Sequence, residues 1–238
     1  MKSWRWVVVM LAVVVALVGA LAPGAFAAGQ RLGQQPGIVL PDGVVLGMTY
    51  GDWTAAWWQW GLAIPWSTHP YNDATGANCL VGQSTGPVFF LVGGTDVTRH
   101  CTIPAGKTLV FPIMNFECST VEPPPFYGKD GQALRNCAAG FTNDVGEDTL
   151  EVTIDGKKVK NLEYFRAQSP VFDFSMPLND NFLFVNNVTA GTAVSDGYWV
   201  IVEPLHPGHH VIRLKATLVS GPFAGGYQNA TYHLTVTK

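Results

Sequence analysis

The chain has 238 residues, 47% of them apolar and 13% charged, with 26 Gly and 16 Pro. That is the composition of a folded chain with a sizeable core and it excludes a disordered one. Its 14 Lys and Arg stand against 17 Asp and Glu, so no basic surplus is present to neutralise a phosphate backbone, and nucleic acid is excluded as a partner class.

Residues 1–27 read as a signal peptide. Lys2 and Arg5 give a positive start, Val7 to Leu21 is an apolar run, and Ala25-Phe26-Ala27 has the small-x-small pattern of a cleavage site. The run is shorter than the roughly 20 apolar residues a bilayer span needs. The expectation is a secreted or periplasmic protein with no membrane span once the signal peptide is removed. Cleavage takes away two bases and no acid, so the mature chain is more acidic than the net −3 of the whole.

Residues 28–48, rich in Gly, Gln and Pro without periodicity, read as an extended arm or linker. Thr49 can cap a helix on which Trp53, Trp57, Trp60 and Ile64 recur at helical spacing, the apolar face of a short amphipathic segment that ends at Pro65. It is the one helix expected in the mature chain.

Everything after it reads as β-structure. Val88 to Val92 and Thr108 to Ile113 are short apolar runs bounded by Gly and Pro, as buried strands are. Leu150, Val152 and Ile154 alternate with polar residues before an Asp155-Gly156 turn, which predicts a hairpin. Phe172, Phe174 and Met176 alternate, Tyr198 to Val202, the turn at Pro204 to His209 and Ile212 to Leu218 predict a second hairpin, and Tyr232, Leu234 and Val236 make a last strand. Short strands at regular spacing predict an all-β fold, a jelly-roll or immunoglobulin-like β-sandwich, as a single domain over residues 49–238 with a more decorated front half over residues 49–141.

The four cysteines, Cys79, Cys101, Cys118 and Cys137, lie in the mature part. An even number in an exported chain predicts two disulfides. Of the three pairings, Cys79 with Cys101 and Cys118 with Cys137 is favoured, because each closes a loop of about 20 residues and adds roughly 3 kcal/mol on the loop-entropy view. No C-x-x-C spacing suggests zinc.

The segments Trp53-Thr-Ala-Ala-Trp57-Trp58-Gln59-Trp60, Cys79-Leu-Val-Gly-Gln83-Ser84, Arg99-His-Cys101-Thr-Ile-Pro104-Ala-Gly106-Lys107, Phe111-Pro112-Ile113-Met-Asn115 and Asp196-Gly197-Tyr-Trp199, with Pro204-Leu205, Pro207-Gly208 and His210, together resemble a group of uncharacterised exported bacterial proteins. The resemblance covers residues 50 to 236 or so and implies a bacterial, exported protein. It carries over no catalytic residue.

Five of the six mature tryptophans fall between Trp53 and Trp66, and indole faces stack well on sugar rings. Trp53, Trp57 and Trp60 are expected to dock the helix on the sheet. Trp58, off that stripe, and Trp66, beyond the helix, are the stacking candidates; Trp57 and His69 complete the ligand-binding set, with the polar stretch Ser67 to Asn78 as the rim of a groove. A carboxylate pair for hydrolysis would use Glu117, placed after an apolar strand where burial raises its pKa, and Asp196. The structural alternatives are a hydrogen-bonded or salt-bridged Glu117, with Arg99 or Arg135 as partner, and a turn at Asp196-Gly197. Gly82-Gln83-Ser84-Thr85-Gly86 matches G-x-S-x-G, but the strand, turn and helix that motif requires are missing around it. No metal site is assigned: Glu203, His206, His209 and His210 crowd one turn without a second strand to complete a ligand set. Asn187 and Asn229 begin N-glycosylation sequons, expected to be unmodified in a bacterial protein.

The sequence implies no cofactor. It favours a binding protein for a carbohydrate or cell-envelope polymer over an enzyme, with an extracellular hydrolase and a purely structural envelope protein as the alternatives.

Overall fold

The computed structural model describes residues 37–238; the signal peptide and the first part of the arm lie outside them. The strands are β1 (Ile38–Val39), β2 (Val88–Phe90), β3 (Val97–Pro104), β4 (Thr108–Ser119), β5 (Glu151–Ile154), β6 (Lys157–Lys158), β7 (Arg166–Gln168), β8 (Phe172–Ser175), β9 (Ala190–Val202), β10 (Gly208–Thr217) and β11 (Tyr227–Thr237). Two α-helices, α1 (Tyr50–Leu62) and α2 (Gly131–Thr142), accompany them. The chain is mostly β, in two sheets with a sandwich-like arrangement, as the alternating strands predict.

The first sheet has the order β1-β9-β4-β2, with β7 and β8 also pairing β9. β9 is its spine: β8, β7 and β1 follow one another along one edge, while β4 runs antiparallel along the other. The second sheet has the order β3-β11-β10-β5-β6, so β9 and β10 lie in different sheets and the turn at Pro204 to His209 crosses between them instead of closing the expected hairpin; β10 pairs with β11 and β5. Along β3 and β10 buried and exposed residues alternate strictly enough to show one face on the core and one in water. β9 instead is buried without a break from Ala193 to Val202, because both of its faces are covered. Residues on one face meet α1, where the Ser195 hydroxyl donates to Thr54 and Trp199 packs edge-on against Trp57. On the opposite face Val194 joins Leu134, Ala138 and Phe141 of α2 in a small core.

Helix α1 starts with a capping box in which Thr49 and Asp52 satisfy each other's backbone N–H groups. Trp53 and Trp57 fix its depth by donating their indole N–H to the carbonyls of Val45 and Leu91. Helix α2 is a departure from the expectation of a single helix. Asp130 caps it by accepting from the Ala133 N–H, and Leu134, Ala138, Phe141 and Thr142 recur at helical spacing on its buried face. Gln, Arg, Asn and two terminal glycines dilute that apolar stripe in the sequence, which hides it from a reading by hydrophobicity. The arm also differs from a free linker in its second half, since β1 pairs with β9 and the Val39 carbonyl accepts from Tyr50.

Both favoured disulfides form. Cys79–Cys101 ties the loop after α1 to β3, and Cys118–Cys137 ties α2 to β4. Arg99 of β3 holds a second junction. Its buried guanidinium donates to the carbonyls of Asp73 at 2.6 Å, Gly93 at 2.7 Å and Tyr71 at 3.3 Å, and to the Tyr232 hydroxyl at 3.1 Å. Four of its five N–H donors are thus spent at this junction, and none of these bonds goes to a carboxylate. Arg99→Met, which keeps most of the volume, is expected to lower stability by at least ~3 kcal/mol, because each buried acceptor deprived of its donor costs about 1–3 kcal/mol. A urea unfolding midpoint within error of the wild type would contradict that account.

Candidate functional site

β4 carries an irregularity at Pro112, where Ile113 is extra relative to β9. Proline has no N–H for the ladder, and a bulge there restores pairing in a shifted register. Beyond it Asn115 faces Gly197 and Glu117 faces Ser195, while Phe116 faces Asp196. Partners across a ladder share a face and neighbours along a strand alternate, so Asn115 and Glu117 lie on the α1 side with Ser195, and Asp196 lies on the α2 side. Gly197 permits the approach: a Cβ there would fall 2.4 Å from the Asn115 Cβ.

The expected pair of Glu117 and Asp196 is thus split between opposite faces of one sheet. Asp196 is not in a turn but within β9, where it accepts from Arg166 Nε at 2.7 Å and from Gln168 at 2.9 Å. Arg135 is engaged with Gln168 and the Ser169 carbonyl, so neither Arg99 nor Arg135 neutralises Glu117. Its partner is Glu122, with which it shares a hydrogen bond. Ser119 folds Glu122 back over the end of β4: the hydroxyl donates to Glu122 Oε2 at 2.9 Å and accepts from the Glu122 N–H at 3.3 Å.

Burial, then the charge of Glu122 and the hydrogen bond to it, hold the Glu117 carboxyl well above its ordinary pKa of 4.5. Burial also raises Glu122, but there the bonds from Glu117 and Ser119 favour the ionised form. Of the two, Glu117 is thus the one held more strongly in its protonated form.

These two acids line a cavity of about 560 Å³ that also takes in Trp57, Trp58, Tyr71, Asn115, Phe182 and Phe184. No Lys, Arg or His lines it. Three of its polar atoms, Trp58 Nε1, Asn115 Oδ1 and Glu117 Oε1, are buried without a hydrogen-bond partner. A larger cavity of about 710 Å³ opens beside β6 and the turn after β9, with Asp155, Glu203, His206 and His210 among its lining. One imidazole and one acid of it are already bonded, His210 to Asp155 at 2.7 Å and to the His206 carbonyl at 2.9 Å, and none of its lining residues has a buried polar side-chain atom without a partner. Unmet hydrogen-bonding capacity, rather than size, singles out the smaller cavity as the candidate site.

The tryptophan candidates divide. Trp57 is 3% and Trp58 7% exposed, so neither is a freely presented face; Trp58 packs edge-on against Phe182. The residues 182–184 cover what helical phase alone leaves open. Both indoles nevertheless line the cavity. Trp66 is half-buried against Phe184 and Phe182, with ring centroids 5.0 and 5.7 Å away, and is not part of the cavity wall. His69 is fully buried and accepts from the Tyr71 N–H through Nδ1. Burial brings its pKa down to about 4, so it is a neutral cap on a short turn rather than a groove rim. Phe184, 69% exposed, stands at the edge of the cavity. It and Phe182 escaped the sequence reading because Asn-Asp-Asn-Phe-Leu-Phe has neither period. Glu122 escaped it among Pro and Thr, although its spacing of three from Ser119 is a local turn signal. At the histidine turn, His209 Nδ1 meets Thr235 at 3.2 Å and both ring nitrogens of His210 are used, which leaves no convergent ligand set with Glu203 and His206.

No protein-family model matches the chain, and no curated protein matches it. Among solved structures a cysteine protease inhibitor from Entamoeba histolytica aligns at 8% identity over 63% of this chain and 95% of that one, with a TM-score of 0.23. Amebosin aligns at 11% identity over 64% of this chain and 100% of its own, with a TM-score of 0.19. Likeness at that level supports no conclusion about fold or activity.

The raised carboxyl pair has a measurable sign. An acid whose folded pKa lies above its unfolded one favours folding while protonated, and that contribution is lost as pH rises from 4.5 toward the folded value. Wild-type stability is therefore expected to fall as pH rises above 4.5, and Glu117→Gln to fall less, so that the variant gains on the wild type with rising pH in urea titrations. Parallel curves would mean that Glu117 is ionised in the folded protein.

Proposed function

We propose that this is an exported binding protein, that it belongs with the exported bacterial proteins its motifs resemble, and that it takes a carbohydrate or cell-envelope polymer into the cavity beside Glu117. The observation that supports this most directly is that three residues of one aromatic-walled cavity, Trp58, Asn115 and Glu117, each hold a buried polar atom without a hydrogen-bond partner. A sugar ring matches such a wall with its apolar C–H face and such atoms with its hydroxyls, each of which both donates and accepts. The two disulfides and the signal-peptide pattern of residues 1–27 agree with an oxidising compartment. No helix among the described residues is long and apolar enough to cross a membrane.

Binding is favoured over glycoside hydrolysis by the acids themselves. Glu117 and Glu122 are hydrogen-bonded to each other, whereas carboxyls that act across a glycosidic bond stand about 5 Å or more apart. In a screen of envelope and plant polysaccharides, Phe184→Ala is expected to weaken the best ligand at least about tenfold, a loss of roughly 1.4 kcal/mol, without moving the melting temperature, since that ring is exposed. Trp58→Phe, which keeps the packing and removes the N–H, is expected to weaken it as well. A screen that returns no polysaccharide, or variants that bind like the wild type, overturns the reading.

A further inference from the structure

We infer that the ligand of this cavity carries an organic ammonium group beside a hydroxyl or ring oxygen, which is the chemistry of an amino sugar. The inference rests on the polymer-binding reading and narrows it.

The charge balance of the cavity points this way. The buried carboxyl of Glu117 lies against the half-buried one of Glu122, and no cationic side chain lines the space to compensate them. A buried carboxyl that finds no countercharge within its own chain holds its proton instead of ionising, and a cation brought by the ligand would let it ionise. The unpartnered atoms fit the same group: Glu117 Oε1 and Asn115 Oδ1 are acceptors, and an ammonium offers three donors and no acceptor. Around them stand the rings of Trp58, Tyr71 and Phe182, and aromatic faces attract cations. The third atom excludes a bare amine. Trp58 Nε1 carries a donor, which an ammonium cannot satisfy and a hydroxyl or ring oxygen can. A polyamine therefore answers two of the three atoms, a neutral sugar leaves the acids uncompensated, and an amino sugar answers all of them.

A consequence follows for protons. In the free protein Glu117 is the one of the two acids held more strongly in its protonated form. The other groups that face it are Asn115 and Trp58, with Ser119 on Glu122, and the remaining titratable lining groups are the phenols Tyr71 and Tyr227, the latter bonded to Asp96 outside the cavity. An arriving ammonium replaces the Glu117 proton as the positive partner, so binding releases it to solvent.

The test is titration calorimetry of the oxidised mature protein at about pH 6, with the sugar amine protonated, in two buffers of different ionisation enthalpy. The probes are the trisaccharide of glucosamine, its fully N-acetylated form, cellotriose and spermidine. The expected result is that the glucosamine trisaccharide binds at least tenfold more tightly than the other three and with proton release, and that Glu117→Gln and Glu122→Gln each abolish the release and reduce that preference. Cellotriose or the N-acetylated form binding as tightly, without proton release, overturns the ammonium inference and leaves the carbohydrate reading standing. Spermidine binding alone overturns the carbohydrate reading and the amino-sugar inference with it, as does the absence of binding by all four. The wild-type comparison among probes decides the matter even where a variant loses its fold.

Discussion

The guanidinium of Arg99 is the junction on which the rest of the molecule hangs. It lies under the ring of Tyr232, 5.5 Å from the centroid, and spends its donors on the carbonyls of Tyr71, Asp73 and Gly93 and on the Tyr232 hydroxyl. Those groups belong to the loop after α1, the link between β2 and β3, and β11. A neutral side chain of that size would leave several backbone acceptors dry in the core, and a surface arginine could not hold three segments at once. The same junction shapes the candidate site, because Tyr71 and Gly93 both line the cavity. Cys79–Cys101 closes a loop of the same region to the same strand, so covalent and polar ties act on one corner of the fold.

The first sheet shows how a single local irregularity places chemistry. Pro112 interrupts the ladder between β4 and β9, and the register shift that follows decides which face Asn115 and Glu117 occupy. In the other register Glu117 would face α2, beside Leu134 and Phe141, and away from α1 and Ser195. Gly197 is required for the approach of Asn115, and Ser119 turns the chain so that Glu122 returns over the strand. Four residues within a short span, Pro112, Asn115, Glu117 and Ser119, thereby build a hydrogen-bonded acid pair with an amide beside it. The structure places it among aromatic rings contributed by α1 and by residues 182–184.

Much of this was legible beforehand and some was not, for identifiable reasons. The strands that face water on one side, β10 and β11 above all, announce themselves by alternation, since a half-buried strand must alternate. Helix α1 announces itself by its tryptophan period and its cap. Helix α2 does not, because half of its residues are polar or glycine and its apolar face is only four residues wide. Glu117 drew attention as an acid at the end of an apolar run, but its partner did not. Asp196 is as close in pairing as a residue can be, one register step away, and a single step reverses the face. Trp58 was read as presented because helical phase turns it from the sheet; a loop with no period of its own covers it.

The sequence by itself determined the β-rich class, the position of the first helix and the presence of two disulfides, because each follows from residue type and spacing, and it favoured the pairing that forms. Tertiary structure alone decided which acid meets Glu117, that Arg99 serves backbone carbonyls rather than a carboxylate, and that Trp58, Asn115 and Glu117 converge on one space. Those outcomes depend on register and on which loop closes over which face. They are relations between segments distant along the chain, and no local pattern encodes them.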